Sequence, residues 1–303
     1  MAGFSGQIGS VDLHLLRVFR EVVRCGGIAA AETSLAVGRS TISRQVSELE
    51  TRLGVVLCER GRAGFRLTDE GRVVTARAAE LLNAVEDFRR HIHQLRDEIA
   101  GDLVVLMPDA MLPSEEFKLP EVIDLFVERA PNVRVILSKK PPNEIERELT
   151  ARRGHIGLKP VFARSRDFTY ARLHLERNRL FCGSGHPLAR SSPGGLSLDD
   201  ISGHAFAGLS YDSGFSAKVS IFERGISAYA DDLEGLAALI LSNRYLGFLP
   251  TAYGQTFIER GAMALIDHAE FRYTVPFEAL ALKQEAKTMM TQLFFTCLTA
   301  RWR

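Results

Sequence analysis

Metal-ligand spacing is missing from this chain, and so is any long apolar run. The four cysteines (Cys25, Cys58, Cys182 and Cys297) are scattered, with no CxxC or Cys/His pair among them. Neither a zinc site nor a disulfide framework is expected from such an arrangement, and reduced thiols in the cytosol are the default. No stretch of about 18 apolar residues is present, so no membrane span is expected. The opening "MAGFSGQIGS" has no basic region followed by an apolar run, which argues against a secretory leader. P-loop, GxGxxG, HExxH and GxSxG patterns are all absent. Without them the chain offers no phosphate cradle, catalytic zinc or nucleophile elbow, so no enzyme activity and no cofactor are expected. Net charge is also lacking, at +1, so any basic surface must be local.

Lysine is absent from the first third; the first is Lys118. From Met1 to Ile99 every basic residue is Arg, 14 of them against 13 acids, and from Arg17 to Arg66 there are 9 Arg against 5 acids. Arg presents a planar fork of donors that matches phosphate oxygens and guanine edges. Codon bias toward Arg is the other source of such a count. Length (303 residues), 46% hydrophobic and 25% charged content are those of an ordinary globular chain with room for two domains.

Three sections follow one another. In the first, Ser10 to Thr68, "SVDLHLLRVFREVVRCGG" sets Leu13, Leu16, Phe19, Val22 and Val23 at helical spacing and stops at Gly26-Gly27. "IAAAETSLAVG" reads as a short Ala-rich helix ending near Gly38. "GRSTISRQVSELETRLG" reads as a third, with Ile42, Val46, Leu49 and Leu53 on one stripe. Two short strands around Gly61 to Gly64 complete the order of a winged helix-turn-helix.

The second section is a single long helix. Thr68 is a good cap, and Asp69 and Glu70 suit the positive end of the helix dipole. Val74, Ala78, Leu81, Val85, Phe88, Ile92, Leu95 and Ile99 then alternate 4 and 3 apart, the seam of a coiled coil. At about 1.5 Å per residue the helix would be about 46 Å long. A partner helix is expected on this seam, with packing onto its own domain as the alternative. Residues 69–100 are therefore expected to be a dimerisation linker. The third section, 101–303, alternates apolar strands ("DLVVLM", "NVRVILS", "HIGLKP", "RLFCGSG", "HAFAGLS", "YLGFLP") with helices ("SEEFKLPEVIDLFVERA", "PNEIERELTARRG", "DDLEGLAALILSN", "KTMMTQLFFTCLTARW"). That alternation implies a parallel or mixed α/β sheet.

The third helix carries the functional signal. Arg39, Ser40, Thr41, Ser43, Arg44 and Gln45 surround its first turns, where a helix N-terminus already favours anions. Arg39 comes earliest and would reach guanine edges in the major groove, with Ser40, Thr41, Ser43 and Arg44 on backbone or mixed contacts. The alternative is a solvated polar face on a core helix. Arg62 and Arg66, on the tight loop that follows, would lie over the flanking backbone or minor groove.

Taken together, "LLRVF", "AAA", "SRQVSELETRLGVVL", "ER" and "LT-EG", spread over Leu13 to Arg72, resemble the DNA-binding region of the LysR-type transcriptional regulators. "HPLA" at His186 and "LGFLP" at Leu246 are similar to signposts of that family's effector region. The resemblance implies an α/β chain with an N-terminal winged helix-turn-helix (10–68), a long dimerisation helix and a two-lobed periplasmic-binding-protein-like effector domain. Lobe I would hold 101–161 and 271–303, and lobe II 162–270. It implies double-stranded DNA, a small-molecule effector and a homo-oligomer, a dimer or a tetramer of two dimers, as partners.

Four positions depart from the family pattern. Gly38 stands for a Ser cap, Cys58 for Phe, Gly157 for Asp, and Pro108-Asp109-Ala110 for a Ser or Thr. Candidate effector contacts are Asp109, Ala110, Ser210, Tyr211, Asp212 and Thr251 at strand ends, and Lys159 at a crossover. Each could equally be a cap or turn residue. An acid at Asp109, with Asp212 nearby, would favour an effector bearing an amine or several hydroxyls. Two further readings stay open: a plain small-molecule-binding protein, and a redox sensor using Cys182 and Cys297.

Overall fold

A computed structural model describes residues 8–61, 64–94, 99–190, 196–211 and 225–302. The chain divides into two units, Met1–Ile92 and His93–Arg303.

In the first unit α1 (Ser10–Arg24), α2 (Ile28–Leu35) and α3 (Arg39–Leu53) precede an antiparallel hairpin of β1 (Cys58–Gly61) and β2 (Gly64–Leu67), with Cys58 opposite Leu67 and Gly61 opposite Gly64. The hydrophobic periodicity has its expected consequence: Leu16, Phe19 and Val22 of α1 pack with Ala31 of α2 and with Ile42, Val46 and Leu49 of α3 in one core. Leu13, Val23 and Leu53 close its rim half-buried. Helix α2 stops at Leu35, short of Gly38, because Ala36 takes a left-handed conformation at φ 53°. Asp12, buried, accepts a hydrogen bond from the Gly9 N–H at 2.8 Å and pairs with Arg52 at 2.5 Å, tying the start of α1 to the end of α3. The Arg52 guanidinium, with the Gly9 amide, holds that carboxyl at about 2, well below the usual carboxylate range.

Thr68 caps α4 (Asp69–Gln94) as expected: its Oγ1 accepts the Gly71 N–H at 2.9 Å. The seam on α4 has two fates. Val74, Ala78 and Leu81 pack onto the unit's own core, joined by Leu82, which is more deeply buried than Leu81. The alternative reading therefore holds for the first half of the helix. Farther along, Val85 is half-buried and Phe88 is 67% exposed. Leu95 lies outside the described residues. Ile99 is not helical, and the next strand begins at Ala100.

In the second unit β3 (Ala100–Met107), α5 (Leu119–Arg129), β4 (Asn132–Lys139), α6 (Pro142–Thr150) and β5 (Ile156–Pro160) form a parallel α/β stretch. Helix α5 begins only at Leu119, because Pro120 suits a first helical turn and no later position. Sixteen-residue β6 (Phe168–Gly183) follows. Then come α7 (Leu198–Ser202), β7 (Phe206–Leu209), β8 (Ile226–Ala230), α8 (Leu233–Leu241), β9 (Gly247–Pro250), α9 (Thr251–Glu259), β10 (Met263–Ile266), β11 (Tyr273–Leu282) and α10 (Met289–Arg301). One mixed sheet runs β10-β6-β11-β5-β3-β4, with β9 also on β6, and β7 pairs with β8 in parallel.

Four groups of buried hydrophobic residues are found among the described residues of this unit, and two of them mark its two ends. Leu103, Val105, Phe126, Leu158 and Phe294 gather in one, where Phe126 and Phe294 meet edge to face at 5.2 Å. Leu180, Phe206, Leu246 and Phe271 gather in another. The long strands connect them. Phe168 and Leu173, placed by sequence in lobe II, pack with residues placed by sequence in lobe I, among them Leu106, Ile145, Val105 and Leu158. Phe271, placed in lobe I, is buried with the second group. Both β6 and β11 run from one group to the other, with Glu176 facing Val275 and Asn178 facing Tyr273 in register.

Candidate nucleic-acid interface and effector cleft

Burial of Ile42, Val46 and Leu49, all fully enclosed, fixes which way α3 faces. Ser40 and Arg44 are exposed on the other side, Arg39 is exposed at the first position of the helix, and Thr41, Ser43 and Gln45 are half-buried. Gln45 is committed to its own unit, since its Nε2 lies 3.0 Å from Nε2 of His14 on α1. Gly38 has no side chain to cap the helix. Glu32, reaching from α2, accepts the Arg39 N–H at 2.6 Å instead. So the leading amide of α3 is occupied by a carboxylate, and the side chains, more than the bare helix end, present donors. Glu50 secures the other end by accepting the N–H groups of Leu57 at 2.9 Å and Cys58 at 3.3 Å, which anchors the hairpin to α3. Neither Glu32 nor Glu50 stood out in the sequence. Arg66 is exposed on β2, opposite Glu59, and Arg62 lies outside the described residues.

The second unit holds a cavity of about 90 Å³ beside a wider opening of about 490 Å³. Of the seven expected effector contacts, Asp109 and Tyr211 line the cavity, and Ala110 and Thr251 line the opening. Ala110 holds φ 56°, uncommon for a residue with a Cβ. Lys159 is turned away in an ion pair with Glu146 at 2.8 Å, and Ser210 donates to Asp231 at 2.6 Å; neither lines either space. Asp212 lies outside the described residues. Asp109 lines the cavity with one carboxylate oxygen already engaged. Its Oδ2 accepts the N–H groups of Leu233 at 3.0 Å and Glu234 at 3.3 Å, at the positive end of α8. Burial prevails and raises its carboxyl, against the opposing pull of the Glu234 N–H and Lys139. Burial and the nearby Asp109 likewise push the Tyr211 hydroxyl up.

Sequence reading missed Glu176 and Asn178, because it began this strand at Arg179. Glu176 lines both the cavity and the opening, and its one hydrogen bond among the described residues comes from Asn178 at 3.4 Å. Burial raises its carboxyl to about 7. Asp109 and Glu176 are the charged residues among the described lining of the cavity. Among the described residues no group of three or more His, Cys, Asp or Glu is placed to hold a metal ion. Cys182 and Cys297 are both fully buried, in different hydrophobic groups. Burial raises the Cys182 thiol to about 11 and pushes the Cys297 thiol up as well, which disfavours the thiolate that a redox sensor needs.

Residues 13–72 match the profile of the bacterial regulatory helix-turn-helix proteins of the lysR family, and residues 96–303 match that of the LysR substrate-binding domain. The chain belongs to the LysR family of transcriptional regulators. Among relatives, the regulator is 32% identical over 289 residues to the HTH-type transcriptional activator BauR of Pseudomonas aeruginosa, covering 95% of each chain. In fold it is similar to CbnR, a LysR family transcriptional regulator, with a TM-score of 0.63 at 22% identity, over 96% of this chain and 99% of that one. Full-length CbnR complexed with its target DNA gives a TM-score of 0.64 at 22% identity, over 95% and 99%. The winged helix-turn-helix and the α/β effector region expected from the sequence are thus those of the family, and the regulator binds DNA and responds to a small molecule. Among its described residues no helix is long and apolar enough to cross a membrane.

Proposed function

We propose that residues 10–68 read operator DNA through α3, that residues 69–100 pair two subunits, and that residues 101–303 hold the effector in the cleft between two lobes. Arg39 reaches a base edge, while Ser40, Thr41, Ser43 and Arg44 settle on the phosphate backbone. Gln45, held by His14, orients α3 against α1 and is a weaker candidate for DNA contact. Arg66 lies against the flanking backbone, with Arg62 beside it in sequence. The observation that carries this reading is the polarity of α3: one fully buried stripe, with Ser40 and Arg44 exposed opposite it and Arg39 exposed at its open first turn.

Two copies of α3 on a paired stalk select a pseudo-palindromic site with half-sites about one helical turn, or a multiple, apart. Two such dimers joined through their effector regions make the tetramer. The effector acts by binding one arrangement of the subunits more tightly than another. The protein acts in the cytoplasm and catalyses no reaction.

Arg39→Ala is expected to weaken operator binding by about 1–3 kcal/mol and to relax discrimination at one base pair. Arg66→Ala is expected to weaken all sequences alike. Binding titrations against an operator and its single-base variants separate the two. Loss at one base pair only in Arg66→Ala would overturn the hairpin's role.

A further inference from the structure

We infer that the cleft accepts a small primary ammonium on an apolar tail, with Glu176 as the carboxylate that receives the charge. The inference rests on the reading of this cleft as the effector site, and it names the chemistry of the occupant.

The cavity's charges have one sign among the described residues. Among the described residues the cavity's charged side chains are Asp109 and Glu176, both acidic. Asp109 is occupied by the two amides at the start of α8. Glu176 has only the long hydrogen bond from Asn178 and no cation in an ion pair with it among the described residues. A half-buried carboxylate against apolar walls, without a counter-charge among the described residues, is costly in its ionised form. The raised pKa, about 7, agrees with that. An ammonium at Glu176 would supply the missing charge and up to three donors. A carboxylate or phosphate ligand would instead meet charge of its own sign. A polyol would find few polar partners, because Phe248, Phe277, Leu236 and Val275 make the walls apolar.

The wider opening repeats the same sign. Glu115, Glu116 and Glu259 line it, against Arg177, which is already paired with Glu116 at 3.4 Å. An anionic mouth over a low-dielectric cavity draws in cations. Size follows from the cavity's volume of about 90 Å³. A cavity of about 150 Å³ holds benzene, so roughly four carbons fit here with the nitrogen at the mouth.

The test uses the full chain and three probes of one skeleton: n-butylamine, butan-1-ol and butanoate. Calorimetric or ligand-observed NMR titration at pH 8 is expected to give butylamine at least a tenfold lower Kd than either of the others. Glu176→Gln, close to isosteric, is expected to remove that preference and leave butanol unchanged. In the wild type, butylamine affinity is expected to rise about tenfold from pH 6 to pH 8, because Glu176 loses its proton while the amine keeps its own. Butanol or butanoate binding as tightly, no butylamine binding, wild-type affinity in Glu176→Gln, or a flat pH profile would each overturn the inference. Retention of the chain's own upstream DNA, measured on the same preparations, isolates the parent reading. If DNA binding persists while butylamine fails, the ligand class alone is wrong. If the wild type does not retain DNA, the regulator reading fails.

Discussion

Phe88→Asp is expected to yield a folded monomer whose affinity for a two-half-site operator falls by about 10²–10⁴-fold. Phe88 is a large aromatic, 67% exposed on α4 at a seam position, with Val85 one step before it. It makes no part of the hydrophobic core of its unit, so the substitution leaves the domain's own packing intact. In the proposed pairing the aspartate would lie between two helices, desolvated and without a partner. Each half-site would then have to be bound separately, and the gain from linked binding would be lost. Leu82→Asp is the informative contrast: Leu82 is 2% exposed in the core, so the same charge there unfolds the unit. Sedimentation and DNA titration check both. A dimeric Phe88→Asp protein with wild-type affinity would remove α4 from the interface.

Gly71→Ala is expected to destabilise the DNA-binding unit by about 3 kcal/mol or more, beyond the usual range for one added methyl. A Cβ at Gly71 would lie 1.9 Å from the Leu57 carbonyl oxygen and 2.9 Å from its carbon. Both are backbone atoms, so no side chain can rotate away. The segment cannot shift easily either. That same oxygen accepts the Thr68 N–H at 3.1 Å, and Thr68 Oγ1 donates to the Val56 carbonyl at 2.7 Å. The first turn of α4 is therefore pressed directly onto the loop before the hairpin. For a domain of this size such a loss lowers Tm by roughly 10–20 °C. Calorimetry should show the first unit's transition falling while that of the effector unit stays in place. An unchanged first transition would mean that the loop yields at little cost.

The parts of this fold that were legible in the sequence are those specified by local pattern. The periodicities of α1 and α3 and the Thr68 cap depend on neighbours within one or two turns. What was missed depends on partners far along the chain. Glu32 caps α3 across a turn, in place of the Ser that Gly38 does not supply. The amides of Leu233 and Glu234 that engage Asp109 were not legible, because they lie more than a hundred residues away. The strict 4-3 spacing pointed to Leu81, yet Leu82 is the deeper residue, since it follows Ala78 by four positions on the face turned to the unit's own core. Glu176 sits among Arg172, Arg177 and Arg179, a charged run that reads as solvent-facing until β11 and β9 pair with it. An extra residue, Leu173, disturbs the alternation there as well: His174 pairs with Phe277 and Arg172 with Glu278. Gly157, where relatives' pattern suggests Asp, has a steric account: a Cβ there would fall 2.4 Å from Ile145 Cγ2.

Salt titration of the full chain on its own upstream duplex, followed by fluorescence anisotropy, tests the central role of α3 most directly. The logarithm of the affinity is expected to fall linearly with the logarithm of salt concentration, by about 10³–10⁵-fold between 50 and 200 mM if about six to ten phosphates are neutralised. Arg44→Ala should make the slope shallower by about 0.9, the share of one phosphate contact. Salt-independent binding, or a wild-type slope and affinity in the Arg39→Ala, Arg44→Ala double variant, would contradict the assignment of α3 to DNA.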